Sequence, residues 1–125
     1  MRIVLADDNM QFRAVLRRLL ERDPEISVVA EAASGAQAVA LCEELRPDVV
    51  LMDVSMPELD GLEATHRLKT VLPDLVVLML SVGNKEQEIA AGLANGAAEY
   101  LVKGTPATEI LDAIKRHRPV PGAAA

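Results

Sequence analysis

Short apolar runs alternate along the chain with segments whose apolar residues recur every three or four positions. The first run, RIVLA, precedes one such segment, in which the repeating positions form a single helical stripe. This stripe consists of Phe12, Val15, Leu16, Leu19 and Leu20. The alternation continues along the chain, so we predict that a helix follows each of the strands at 2–6, 26–32, 48–52, 75–80 and 99–102.

This alternation predicts the class of fold. Strands that alternate with helices need crossover connections and form a parallel sheet covered on both faces, for which continuously apolar strands are typical. We therefore predict an α/β fold with a doubly wound, five-stranded parallel sheet in the order 2-1-3-4-5, flavodoxin-like, in a single domain. Its fourth helix, at about 85–95, is rich in Ala and has few large side chains to anchor it.

Composition and charge exclude several classes of function. The 125 residues suffice for one domain, and the net charge of −6 argues against binding of nucleic acid or an anionic membrane by this domain's own surface. The single cysteine excludes an internal disulfide, and no apolar run approaches the roughly 20 residues of a membrane span. We expect a cytoplasmic protein that does not contact the membrane.

Polar residues follow four of the predicted strands at their carboxyl ends. Asp7 and Asp8 follow the first strand, Asp53 the third, Ser81 the fourth and Lys103 the fifth. Because neighbouring parallel strands end at one edge of the sheet, we expect these side chains to lie close together. Three carboxylates repel one another unless a cation such as Mg²⁺ compensates, and a lysine and a hydroxyl can hold a phosphate oxygen. The set therefore predicts phosphoryl transfer, with an aspartate as acceptor.

Each of these residues also has an ordinary structural interpretation. Asp7 or Asp8 could cap the helix that follows, since Asp is a favoured N-cap residue. Asp53 could simply end a strand, and Lys103 could be a solvated surface lysine. Their joint occurrence at the predicted strand ends favours a site over these interpretations.

Four segments of the sequence resemble a two-component response regulator receiver domain. They are VLADDN (4–9), RPDVVLMDVSMPELDGLEA (46–64), VVLMLS (76–81) and GAAEYLVKG (96–104). Each segment is a weak signal alone, but four in order at these separations are specific. The forms DGLEA and GAAEYLVKG are most similar to regulators that carry a LuxR-type helix-turn-helix after the receiver. The resemblance implies a receiver domain at 1–118, with 119–125 as a flexible tail or the start of a linker to an effector domain outside this chain.

The resemblance also implies a phosphorylation site and a metal site. Asp53 corresponds to the phosphoacceptor. Asp7, Asp8 and Asp53 correspond to ligands of Mg²⁺, and the backbone carbonyl of Ser55 would be a further ligand.

Three other residues correspond to groups that sense the phosphoryl group. Lys103 and Ser81 would contact it, and Ser81 with Tyr100 would form the conformational switch. Many receivers have proline after the lysine, whereas this chain has Gly104, which leaves the conformation of the following loop open.

The function implied is a phosphorylation-dependent signalling switch. A partner histidine kinase would phosphorylate Asp53 with Mg²⁺, and the surface of the fourth helix and fifth strand would change. The output would be transcription through a helix-turn-helix domain outside this chain, so DNA would be a partner only through that domain, and a homodimer is possible. We do not expect an enzyme, since the domain would catalyse only its own phosphotransfer and slow autodephosphorylation.

Two other functions compete with this one. A haloacid-dehalogenase-like phosphatase would use an aspartyl nucleophile, but such enzymes have a second aspartate at the position that Ser55 occupies here, and no cap domain is present. A phosphorylation-independent adaptor could be built on a degenerate receiver, but Asp8, Asp53 and Lys103 are all present.

Overall fold

The computed structural model describes residues 1–83 and 86–117, so the expected tail at 119–125 and the expected start of the fourth helix at 85 lie outside the described residues. Strands and helices alternate throughout. In chain order the elements are β1 (Arg2–Ala6), α1 (Met10–Leu20), β2 (Ser27–Ala32), α2 (Gly35–Leu45), β3 (Val49–Asp53), α3 (Gly61–Val71), β4 (Val76–Ser81), α4 (Glu86–Ala94), β5 (Glu99–Val102) and α5 (Ala107–Arg116).

The sheet is parallel throughout and has the order β2-β1-β3-β4-β5, which confirms the predicted fold. Its register also aligns the ends of the strands. Asp53 at the end of β3 pairs with Leu80, and Ser81 at the end of β4 pairs with Val102. The carboxyl ends of β3, β4 and β5 therefore meet at one edge of the sheet.

Two hydrophobic cores lie on the two faces of the sheet. In β3, Val50 and Met52 belong to the core that includes α2 and α3, whereas Val49 and Leu51 belong to the core that includes α1 and α5. All four side chains are at most 1% exposed, because successive residues of a central strand point to opposite faces and both are covered. The continuous apolar runs in the sequence have this origin.

The helix boundaries follow from local capping. The N-cap of α1 is Asn9, whose side-chain oxygen accepts a hydrogen bond from the backbone N–H of Phe12 at 3.0 Å. The alternative in which Asp7 or Asp8 caps this helix is therefore wrong. Asp60 caps α3 in the same way, through the N–H of Glu63 at 2.9 Å. Both carboxylates after β1 thus remain available for another role.

The stripe predicted for α1 is broader than the face that the helix buries. Leu16 and Leu20 are buried, but Val15 is 59% exposed. The α4 helix is the least anchored, since Gly92 is its only residue classed as buried within the described part of the chain. None of the helices described at 1–83 and 86–117 combines the length and apolar character that a membrane span needs.

Candidate functional site

The acidic residues after β1 and at the end of β3 form one cluster. Asp7, Asp8 and Asp53 each place a carboxylate oxygen within 4.8 Å of the others. Asp7 and Asp53 are buried, at 3% and 4% exposure, whereas Asp8 is exposed. The backbone N–H of Asn9 donates to Asp7 Oδ1 at 2.8 Å and fixes the orientation of that carboxylate. The cluster thus has two buried carboxylates and one that faces solvent.

Lys103 joins the cluster from the end of β5. Its Nζ lies 2.7 Å from Asp7 Oδ2 and donates a hydrogen bond to Asp53 Oδ2 at 3.2 Å. The same Nζ lies 4.9 Å from the centre of the Phe12 ring, a distance at which a cation is attracted to an aromatic face. Two carboxylates and one aromatic ring therefore hold the lysine directly beside the expected phosphoacceptor.

Burial and charge shift the titration of these groups. Burial raises the pKa of the Asp53 carboxyl, and the neighbouring Asp7 raises it further, while Lys103 partly offsets both effects. Burial alone would lower the pKa of Lys103, but its contacts with Asp7 and Asp53 outweigh burial, so the pKa of Lys103 is raised. The lysine therefore stays charged at neutral pH and supplies a fixed positive charge at the site.

The donor set fits a hard divalent cation such as Mg²⁺. Asp7 Oδ2 is buried and lies 2.7 Å from Lys103 Nζ, and it accepts no other hydrogen bond among the described residues. Acidic groups outnumber the lysine three to one in this cluster. Oxygen ligands and an excess of negative charge are what Mg²⁺ requires, and it is commonly held by only one or two carboxylates.

A tight loop after β3 fixes the backbone of Asp53. The N–H of Ser55 donates to Asp53 Oδ1 at 3.3 Å, and Ser55 itself is exposed. At the start of α3, the N–H of Gly61 donates to the carbonyl of Val54 at 2.7 Å. A Cβ at Gly61 would lie 2.0 Å from the carbonyl oxygen of Asp53, so only glycine permits this close approach.

The carboxyl end of β4 carries the hydroxyl of Ser81, which is directed to α4. Ser81 is 7% exposed, and its carbonyl accepts a hydrogen bond from the N–H of Lys103 at 2.7 Å, which joins the two strand ends. Its hydroxyl donates to Glu88 Oε1 at 3.0 Å, and the hydroxyl of Tyr100 donates to the same oxygen at 2.9 Å. Ser81 thus lies at the expected edge, and its hydroxyl donates a hydrogen bond to a residue of α4.

Three contributors to the site were not predicted from the sequence. Phe12 was assigned only to a helical stripe, and Glu88 and Arg13 were not singled out. Arg13 donates from Nη1 to the backbone carbonyl of Asp7 and from Nε to Glu31 at 3.0 Å, which secures the loop after β1. No motif identifies these residues, because their roles depend on contacts between elements that are distant in sequence.

The comparisons with known proteins identify the family. A model of the response regulator receiver domain matches residues 3–115. The chain belongs to this family. The matched residues include both edge strands of the sheet, β2 and β5, and every residue of the acidic cluster.

Individual relatives agree with the LuxR-type resemblance of this receiver domain. It is 42% identical over 113 residues to the transcriptional regulatory protein DegU of Brevibacillus brevis, covering 90% of this chain and 48% of the relative. The solved receiver domain of the putative response regulator NarL from Mycobacterium tuberculosis is 33% identical, with a TM-score of 0.88 over 92% of this chain and 93% of that one. A LuxR-family response regulator from an Aurantimonas species is 34% identical, with a TM-score of 0.88 over 92% and 82% of the two chains. The chain spans about half the length of the curated relatives it matches.

The loop after the lysine is also defined in this receiver domain. The described residues contain no cis peptide bond, so the bond from Lys103 to Gly104 is trans. A Cβ at Gly104 would meet no atom within 4 Å. The departure from proline at this position therefore leaves an open, trans loop beside the site.

Proposed function

We propose that the domain is a phosphorylation-dependent signalling switch in which Asp53 accepts a phosphoryl group from a phosphohistidine of a partner kinase. An oxygen of Asp53 attacks phosphorus, the O–P bond forms as the N–P bond breaks, and the imidazole nitrogen keeps the electron pair. The observation that carries the proposal is the single cluster that a buried acceptor carboxylate, two further carboxylates and Lys103 form at one edge of the sheet.

The charges around Asp53 suit this reaction. Phosphoryl transfer depends on positioning and charge neutralisation more than on covalent help from the protein. Lys103 contacts Asp53 Oδ2, so its ammonium is placed to neutralise an oxygen of the phosphoryl group attached there. Ser81, at the neighbouring strand end, would contact a second phosphoryl oxygen once its hydroxyl turns away from α4.

We assign the metal site to Mg²⁺. Asp7, Asp8 and Asp53 would supply carboxylate oxygens, and Ser55, two residues beyond the acceptor, would supply its backbone carbonyl. The chemistry that the bound ion supplies is neutralisation of charge on the phosphoryl oxygens. Asp7 and Asp53 hold their orientations through hydrogen bonds from Asn9 and Ser55.

The proposed output is a change in the surface formed by α4 and β5. Ser81 and Tyr100 form the switch, and α4 is the least buried of the described helices, which suits an element that rearranges at small cost. We propose that residues 1–118 are the receiver and that 119–125 lead to a helix-turn-helix domain outside this chain, which would bind DNA and control transcription. The kinase partner and a cytoplasmic location belong to the same proposal, as does a possible homodimer.

Intact-mass measurement tests the proposed function. The domain is incubated with Mg²⁺ and a small acyl phosphate, and we expect a mass increase of one phosphoryl group. Asp53→Asn should show no increase, whereas Asp74→Asn, which removes an exposed acid remote from the cluster, should be labelled like the wild type. Labelling that persists in Asp53→Asn would refute the assignment of the acceptor.

The same measurement separates the competing functions. A phosphorylation-independent adaptor would gain no mass under any of these conditions. A phosphatase would release phosphate continuously from unrelated phosphoesters, whereas the proposed domain catalyses only its own phosphorylation and slow dephosphorylation. Multiple turnover of such esters would therefore contradict the proposal.

A further inference from the structure

We propose that Glu88 on α4 is a positioning residue that holds the hydroxyls of Ser81 and Tyr100 away from the phosphoryl site and so opposes the phosphorylated conformation. The inference rests on the proposed function, because it concerns how the same site responds to a phosphoryl group. Glu88 does not touch Asp53 or Lys103 in any described contact, so it acts through Ser81 and Tyr100.

One carboxylate oxygen accepts both hydroxyl protons. Ser81 Oγ donates to Glu88 Oε1 at 3.0 Å, and Tyr100 OH donates to the same atom at 2.9 Å. Both are hydrogen bonds to a charged acceptor, which are about twice as strong as neutral ones. Ser81 is buried and Glu88 is half-buried, so water competes only partly for these bonds.

A serine hydroxyl has one proton to donate. While Ser81 donates that proton to Glu88, it cannot donate it to a phosphoryl oxygen on Asp53. A hydrogen bond from Ser81 to a phosphoryl oxygen therefore requires the bond between Ser81 and Glu88 to break. The free energy lost with the Ser81–Glu88 hydrogen bond offsets part of the free energy gained from a hydrogen bond between Ser81 and the phosphoryl group.

Glu88 also connects the site to the surface that is expected to change. It is the third residue of α4, and its carboxylate bonds to β4 through Ser81 and to β5 through Tyr100. Loss of the bond to Ser81 removes one of the two polar ties between this carboxylate and the sheet. Because Gly92 is the only buried residue of α4, burial anchors this described helix weakly, and hydrogen bonds such as these help to position it.

Binding of the phosphoryl mimic beryllofluoride tests the proposal. Wild type and Glu88→Ala are titrated with beryllofluoride at saturating Mg²⁺, and Glu88→Ala should bind it roughly ten- to a hundredfold more tightly, since one hydrogen bond to a charged acceptor no longer competes. Glu88→Gln, which keeps a neutral acceptor, should give an intermediate affinity. Glu86→Ala is the matched control, because it removes an exposed glutamate from the same first turn of α4 and should leave the affinity unchanged.

A second background tests whether Glu88 acts through Ser81. In Ser81→Ala, the hydroxyl that Glu88 restrains is absent, so adding Glu88→Ala should give no further gain in affinity. An equal gain with and without Ser81, an unchanged affinity in Glu88→Ala, or a weaker affinity would each overturn the proposal. If wild type does not bind beryllofluoride at all, the proposed function fails instead, so the two failures are distinguishable.

The single tyrosine gives a readout that needs neither metal nor phosphoryl mimic. The chain has one tyrosine and no tryptophan, so ultraviolet absorbance during a pH titration reports Tyr100 alone. Burial raises the pKa of Tyr100, the neighbouring Ser81 hydroxyl lowers it, and the Glu88 carboxylate raises it. The pKa of Tyr100 should fall in Glu88→Ala and stay at the wild-type value in Glu86→Ala. A pKa that is the same in all three proteins would show that the contact is absent in solution and would overturn the proposal.

Discussion

At the scale of single residues, the proposed acceptor Asp53 is a buried carboxylate, and burial disfavours its charged form. Asp53 is 4% exposed and lies beside Asp7, and burial followed by this repulsion raises the pKa of its carboxyl despite the contact with Lys103. A carboxyl whose pKa is higher in the folded state than in the unfolded state favours folding only while it is protonated. The ionised form needed for attack on phosphorus is therefore maintained at a cost in stability.

This cost predicts that Asp53→Asn stabilises the metal-free domain at neutral pH. The amide removes the buried charge, so the free energy of unfolding in the presence of a chelator should exceed that of the wild type. As the pH falls through the raised pKa of Asp53, the wild-type carboxyl becomes protonated and the difference should shrink. Urea unfolding at several pH values measures both effects.

The control for this prediction is an aspartate whose side chain is exposed to solvent. Asp74→Asn changes the same functional group at an exposed position and should alter stability little at any pH. If Asp53→Asn were less stable than the wild type at neutral pH, the contact with Lys103 would outweigh burial and repulsion, and the direction given for the pKa of Asp53 would be wrong.

At the scale of elements, the site depends on how closely the start of α3 approaches β3. Gly61 is buried, and its missing side chain allows the helix to pack against the carbonyl of Asp53. A methyl group there meets backbone atoms, which cannot move aside as a flexible side chain would. The position of the proposed acceptor is thus set by a residue that carries no functional group.

Gly61→Ala should therefore impair both folding and phosphorylation. The added methyl forces the loop and Asp53 apart, and overpacking of this kind costs roughly 1–3 kcal/mol. We expect a lower urea midpoint, and slower labelling by an acyl phosphate even under conditions where the variant is fully folded. Gly104→Ala is the matched control, because a Cβ there meets nothing within 4 Å, and it should be close to wild type in both measurements. Equal behaviour of the two variants would contradict the steric argument.

The same scale shows what a sequence can and cannot predict. Both ends of every strand lie within one residue of the predicted ends, as for β3, predicted at 48–52 and found at Val49–Asp53, because continuous apolar runs are typical of strands covered on both faces. Strand order then brought Asp7 and Lys103 to one edge without any side-chain information. The acceptor of the Ser81 proton could not be predicted, since it depends on how α4 sits over the sheet. The exposure of Val15 could not be predicted for a related reason, because periodicity locates the apolar face of a helix but not how much of that face is buried.

At the scale of the whole molecule, the two cores are what make the acidic edge possible. Apolar residues from all five strands fill the cores or pack against them, and their burial drives folding. This stabilisation allows the molecule to carry two buried carboxylates at one edge, where they repel each other and Lys103 is their only cationic partner among the described contacts. A cation that binds this edge only in the folded state would therefore relieve the repulsion and add to global stability.

Magnesium should accordingly raise the thermal stability of the entire domain. A ligand that binds only the folded state adds about 2.7 kcal/mol at one hundred times its dissociation constant, which corresponds to a rise of several degrees in Tm. Asp8→Asn should lose most of this rise and yet be close to wild type without metal, because Asp8 is exposed while the buried Asp7 and Asp53 retain their contacts with Lys103. Asp74→Asn should keep the full rise. Melting curves with MgCl₂ or with chelator, matched in ionic strength, measure the difference, and an equal rise in Asp8→Asn would place the stabilising ion somewhere other than the acidic edge.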